Sequence, residues 1–137
     1  MRPGSYSPVP VGRSIPTVFD AIKQAFPDSE IIQCDGCGIS GEDFEFALSD
    51  QNHLKDIKAE KIAENIEKAV SAARECDLVI FCGGDDNITS GEGRDRCELS
   101  LCGRQSELIE RLHETGKPLV FVMIHGKQLS IERESEV

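Results

Sequence analysis

Glu92 stands between two glycines in Ser90-Gly91-Glu92-Gly93 and is followed at once by Arg94, Asp95 and Arg96. A carboxylate presented this way suits proton transfer: glycines open backbone conformations closed to other residues and let a ligand approach closely. Glu92 is therefore the first candidate for a catalytic residue. Asp95 and Arg96 are candidates for touching substrate or ordering the loop, although composition alone favours reading them as solvated loop residues that pair with each other. Asp85, Asp86, Arg94, His125 and Lys127 could join this cluster if the segments that carry them share one edge of the fold. His125 suits capping or packing better than catalysis. Gly83-Gly84 could sit over a phosphate, but no Gly-x-Gly-x-x-Gly pattern is present and no helix follows immediately.

A shared edge requires two strands running the same way. Asp77 to Gly84 is an apolar run, centred on Leu78 to Phe81 and ending in glycines, and Leu119 to Ile124 is a second run ending at His125-Gly126. Such unbroken runs suit parallel strands buried on both faces. Ile62, Ile66, Ala69, Val70 and Ala73 recur at helical spacing before the first run, with Lys61, Glu64, Lys68 and Arg74 on the opposite face. Leu108, Ile109 and Leu112 mark a helix between the runs, stopped by Gly116 and Pro118. Earlier, Val18, Ala21, Ile22 and Ala25 predict a short amphipathic helix that Thr17 and Asp20 cap and Pro27 closes. Ile31 and Ile32 fit a brief strand, residues 40–56 an acidic loop with a helical turn near Phe44 to Leu48, and the Pro- and Gly-rich first dozen residues an irregular arm. Alternating helices and strands predict an α/β fold, a three-layer sandwich with a mostly parallel sheet and helices on both faces. Ligands in such folds gather at the carboxyl ends of the strands, where the Glu92 loop begins.

At 137 residues the chain is expected to form one domain over 1–137. Fifteen Lys and Arg against 25 Asp and Glu give a formal charge of -10, which repels nucleic acid and anionic lipid. No apolar run reaches the roughly 18 residues a bilayer requires, and the N-terminus lacks a signal-peptide core, so a cytoplasmic location is expected, with no membrane partner. The six cysteines then read as reduced thiols. Cys34-Asp35-Gly36-Cys37 has the spacing of half a zinc site or a redox motif, but no second pair follows and no helix signal adjoins it. Small buried or half-buried residues at a strand end are the expectation, with no metal and no cofactor.

Ala73 through Asp86, Glu92-Gly93-Arg94-Asp95-Arg96, Leu99-Ser100-Leu101, Gly103-Arg104-Gln105, Glu107-Leu108-Ile109 and Gly116-Lys117-Pro118 form a joint pattern with Gly126. It resembles the C-terminal α/β sandwich domain of glycoside hydrolase family 3, with weaker likeness at Gly4-Ser5-Tyr6 and Gly36-Cys37. The resemblance implies a β-glucosidase or β-xylosidase type of enzyme, retaining configuration through a covalent glycosyl-enzyme intermediate made by two carboxylates. In the family the nucleophilic aspartate lies in a separate N-terminal (β/α)8 barrel, the implied partner along with a glycoside or oligosaccharide substrate. Glu92 matches the glutamate that many members use as general acid/base. Cys102 stands where the family usually has proline. No barrel and no final strands are present in these residues, so the resemblance implies an incomplete sandwich domain, inactive alone, whose exposed sheet edge could self-associate.

A rival from another class is a non-catalytic α/β ligand-binding or interaction module, in which the loop after Cys82 recognises a small polar ligand or another domain and Glu92 is dispensable.

Overall fold

The computed structural model describes residues 16–39, 59–86, 89–91, 93 and 96–136, which fall in two compact units, Met1–Gln33 and Cys34–Val137. The expected N-terminal arm and the acidic loop at 40–56 lie outside the described residues.

In the first unit the helix expected after Pro16 is α1, Val18–Ala25. Its start is fixed by a reciprocal capping box: Thr17 Oγ1 accepts from the Asp20 amide at 3.1 Å, and the Asp20 carboxylate accepts from the Thr17 amide at 2.9 Å. Those hydrogen bonds hold the Asp20 carboxyl below the usual carboxylate range. Ile31 and Ile32 form no strand. A short apolar run makes a strand only where a neighbour supplies its hydrogen bonds, and none of the described residues pairs with this one.

The second unit runs α2 (Ala59–Glu75), β1 (Val79–Gly84), α3 (Gln105–His113), β2 (Leu119–Ile124) and a 3-10 turn at Glu134–Glu136. β1 and β2 pair in parallel, Val79 opposite Leu119 through Gly84 opposite Ile124. The chain is thus mixed α/β, with three helices and a small parallel sheet among the described residues, consistent with an incomplete sandwich.

The core lies where α2 and α3 meet one face of the sheet. Ile62, Ile66, Val70 and Ala73 of α2 and Leu108, Ile109 and Leu112 of α3 are buried there with Phe81, and Val79, Leu119, Phe121 and Met123 pack against them. Phe81 and Phe121 meet edge to face with ring centroids 6.2 Å apart. The residues that alternate with these point the other way, and Ile80, Cys82 and Val120 are exposed. Burial of both strands on both faces, expected from the unbroken apolar runs, is therefore not met at Ile80, Cys82 and Val120, while Val122 and Ile124 are half-buried. Apolar character records that a face needs cover, whereas cover itself comes from elements elsewhere in the fold.

Outside the core, α2 and α3 are tied by Arg111, whose guanidinium meets the Glu67 carboxylate through two bonds of 2.5 and 2.9 Å. Glu64 takes Lys61 and Lys68 on the solvent side of α2. No described helix is long and apolar enough to cross a membrane.

Candidate functional site at the carboxyl ends of the strands

Two strands in parallel register bring their carboxyl ends together, so the segments after Gly84 and after Ile124 share one edge. The end of β1 is too crowded for side chains. A Cβ on Gly84, whose φ is +127°, would lie 2.0 Å from the Ile124 carbonyl oxygen, and one on Gly83 would lie 2.5 Å from both Gln105 Oε1 and the Phe81 ring. The glycine pair thus serves close packing, with no cradle for a phosphate.

Gln105 explains that crowding. Its side chain is fully buried at the start of α3 and lies within hydrogen-bond reach of four backbone groups, three of them carbonyls that share the two Nε2 protons. Oε1 accepts from the Gly84 amide at 2.8 Å, and Nε2 donates to the carbonyls of Gly84 at 3.0 Å, Cys102 at 3.1 Å and Ile39 at 3.2 Å. A neutral amide offers an acceptor and two donors, so it can close the open end of a strand without burying charge. Sequence reasoning gave Gln105 no role beyond the family resemblance. The available signal was a polar residue placed on the buried side of a helix start.

Beyond Gly84 the loop is fastened at its base. Asp85 and Arg96 form an ion pair, Arg96 Nη2 to Asp85 Oδ1 at 3.2 Å, with side chains 2% and 11% exposed. Thr89 is completely buried, and its hydroxyl donates to the same Oδ1 at 2.9 Å. The Asp86 amide donates to the Thr89 hydroxyl while the Thr89 amide donates to Asp86 Oδ1, both at 3.0 Å, a reciprocal pair that holds Asp86 and Thr89 together. Arg96 Nη1 reaches the Ser100 carbonyl at 3.1 Å and also donates to Cys102 Sγ. Burial raises the Cys102 thiol above its ordinary value, with Arg96 pulling the other way. Cys102 therefore helps to seat the guanidinium.

The second strand supplies a further tether. Lys127 Nζ donates to the Thr89 carbonyl at 2.7 Å, and a Cβ on Gly126 would lie 2.8 Å from Ser90 Oγ. His125 sits exposed, with Nδ1 2.6 Å from the Lys127 carbonyl oxygen. Of the residues singled out in the sequence, the edge gathers Asp85, Asp86, Arg96, His125 and Lys127. Glu92, Arg94 and Asp95 lie outside the described residues, so the expected pairing of Asp95 with Arg96 does too. Gly93, beside Glu92, has φ +68°, a conformation that favours glycine.

The Cys34-x-x-Cys37 segment lies in a turn, with Cys37 buried and its Sγ donating to the Gly38 carbonyl at 3.1 Å. Burial pushes the Cys37 thiol up to about 11, the reverse of what a reactive thiol needs. All six cysteines are free.

Comparison with known proteins places this geometry in context. Residues 2–137 match the family described as the glycosyl hydrolase family 3 C-terminal domain. A protein named β-xylosidase from Formosa agariphila is 45% identical over 73 residues, covering 53% of this chain and 10% of that protein. A β-glucosidase structure from Erythrobacter marinus superposes with a TM-score of 0.66 at 27% identity, covering 85% of this chain and 17% of that one. A GH3 exo-β-xylosidase solved with a xylobiose aziridine activity-based probe gives a TM-score of 0.51 at 32% identity, covering 61% and 11%. The alignments thus span only about a tenth of the length of the curated relatives.

Proposed function

We infer the function from one premise: this chain belongs to the glycosyl hydrolase family 3 C-terminal domain family. The proposal is that it forms the loop-bearing wall of an enzyme that hydrolyses terminal β-linked xylose or glucose, the substrates suggested by the names of its relatives. Its partner in this reading is an N-terminal barrel domain that carries the nucleophilic carboxylate and most of the sugar pocket. Glu92 is the general acid/base, and Asp95 and Arg96 order the loop that carries it.

In this mechanism protonated Glu92 gives its proton to the glycosidic oxygen while the barrel's carboxylate attacks the anomeric carbon, so the leaving alcohol departs as the glycosyl-enzyme ester forms. Ionised Glu92 then takes a proton from water, whose oxygen attacks the same carbon and releases the sugar and the carboxylate. Retention in such a pair calls for carboxyl groups about 5.5 Å apart, which the two domains would set jointly. Without the barrel, the chain alone should not turn over glycosides.

The observation that carries the reading is the fastening of both ends of the Glu92 segment, at Asp85 and at Arg96, to the carboxyl edge of the sheet. A protein rim held in this way can hand a proton donor to a neighbouring domain while its own strands stay fixed. The test is Glu92→Gln in the intact enzyme. We expect kcat/KM for phenyl β-glycosides to fall by at least about a hundredfold and that for 2,4-dinitrophenyl β-glycosides far less, since general acid catalysis contributes roughly 10²–10⁴ where the leaving group needs a proton. Azide, which attacks the anomeric carbon without proton removal and yields the glycosyl azide, should restore kcat on the activated substrate. Equal losses on both substrates with no azide rescue would remove Glu92 from this role and leave the non-catalytic module as the reading.

A further inference from the structure

We propose that Asp85, Thr89 and Lys127 are positioning residues for Glu92, acting with Arg96 as a buried clasp that fixes the span of the loop between the two strand ends. This rests on the reading of Glu92 as acid/base and goes beyond it by naming groups outside the Glu92–Arg96 motif. Asp85 and Arg96 are eleven positions apart yet meet through a single contact of 3.2 Å, so the loop's two ends are held together. Thr89 adds a second point at Asp85 Oδ1, and Lys127 holds the Thr89 carbonyl from the far strand. The three ties come from β1's end, from within the loop and from β2's end. Together they hold Thr89 and Arg96, which flank the Glu92 segment, at the sheet edge.

The chemistry of the clasp argues for placement over stability. Two charges taken out of water regain their desolvation cost only with full hydrogen bonding, and apolar residues of similar size are often as stabilising or more so. Here the bonding is incomplete: among the described residues, Asp85 Oδ2 and Arg96 Nε are buried without a partner. A pair that is poorly optimised for stability, yet joins the two ends of a loop, contributes chiefly geometry. Displacement of a catalytic group by about 1 Å can cost on the order of a hundredfold in rate, so such geometry matters to an acid/base.

The experiment measures kcat/KM of the intact enzyme on phenyl and 2,4-dinitrophenyl β-xylosides and β-glucosides, with and without azide, for Glu92→Gln, Asp85→Asn, Lys127→Met and Lys127→Arg. For a clasp, Asp85→Asn lowers the phenyl value by about tenfold or more beyond the dinitrophenyl value. Lys127→Met shifts that ratio in the same direction by about threefold, and Lys127→Arg, which keeps a donor, restores it. If Asp85→Asn does not fold, the two Lys127 variants decide. Losses that are equal on both leaving groups, or no loss at all, overturn the clasp while a leaving-group-dependent Glu92→Gln leaves the acid/base reading standing. Should Glu92→Gln itself lack that dependence, both fall together.

Discussion

Two regions of this molecule use opposite charges, and they do so in contrasting ways. Along α2 and α3, Lys61, Lys68 and Arg111 meet Glu64 and Glu67 in water, with exposed side chains on at least one partner of each pair. At the strand ends, Asp85 and Arg96 meet in the interior. In water an ion pair gains little, because solvent already stabilises each charge and salt screens what remains. In the interior either charge alone is costly, so the pair is compulsory once one partner is there. The exposed pairs decorate helices whose formation the apolar stripe already determines. The buried pair decides where a loop begins and ends.

The sharpest way to break this contrast is Arg96→Met, which leaves the Asp85 carboxylate buried and unpaired. A loss of about 3–5 kcal/mol is expected by denaturant unfolding, and Asp85→Asn in the same protein should recover most of it. A loss under about 1 kcal/mol would place Asp85 with the solvated pairs. Next in size is Gln105→Leu, which keeps the volume but strands the amide and carbonyl of Gly84. About 2–3 kcal/mol is expected for buried backbone groups left unsatisfied.

The smallest effect belongs to the exposed carboxylates. Hydrogen bonds from Lys68 and Lys61 hold Glu64 below its ordinary value, and Arg111 does the same for Glu67. A carboxyl with a lowered folded value binds protons less tightly than in the unfolded chain, so its contribution is present above pH 4.5 and fades as pH falls through the lowered values. Arg111→Met should therefore leave the unfolding midpoint nearly unchanged at pH 7 in high salt, and should flatten its decline as pH falls below 4.5. An unchanged acid limb would show that the Glu67 pair adds nothing.

The elements that were legible in the sequence are those determined by local pattern. α1 has the bounds that Thr17, Asp20 and Pro27 imply, α2 buries the stripe from Ile62 to Ala73, and β2 covers Leu119–Ile124 as written. Pattern within one segment reports on one segment. The strand expected at Ile31–Ile32 needed a pairing partner, and the second face of β1 needed cover, neither of which the run of residues encodes. The shared edge of Asp85, Arg96, His125 and Lys127 was legible because parallel strands must end together. The Asp85–Arg96 bond was not, since the charges adjacent in sequence pointed to Asp95 as the partner of Arg96. Gln105 was missed because a glutamine at a helix start reads as solvated until a strand end is found beneath it.

The meeting of Asp85 and Arg96 has one more consequence, for how the chain tolerates change. On the β1-to-β2 crossover, Asp85 and Arg96 tie together the two ends of the stretch numbered 86–95. Lengthening a stretch with tied ends raises its closure entropy only as the logarithm of its length, and the strand register does not register the insertion. Insertions between Asp85 and Arg96 can thus be accommodated while α3 and the sheet keep their places.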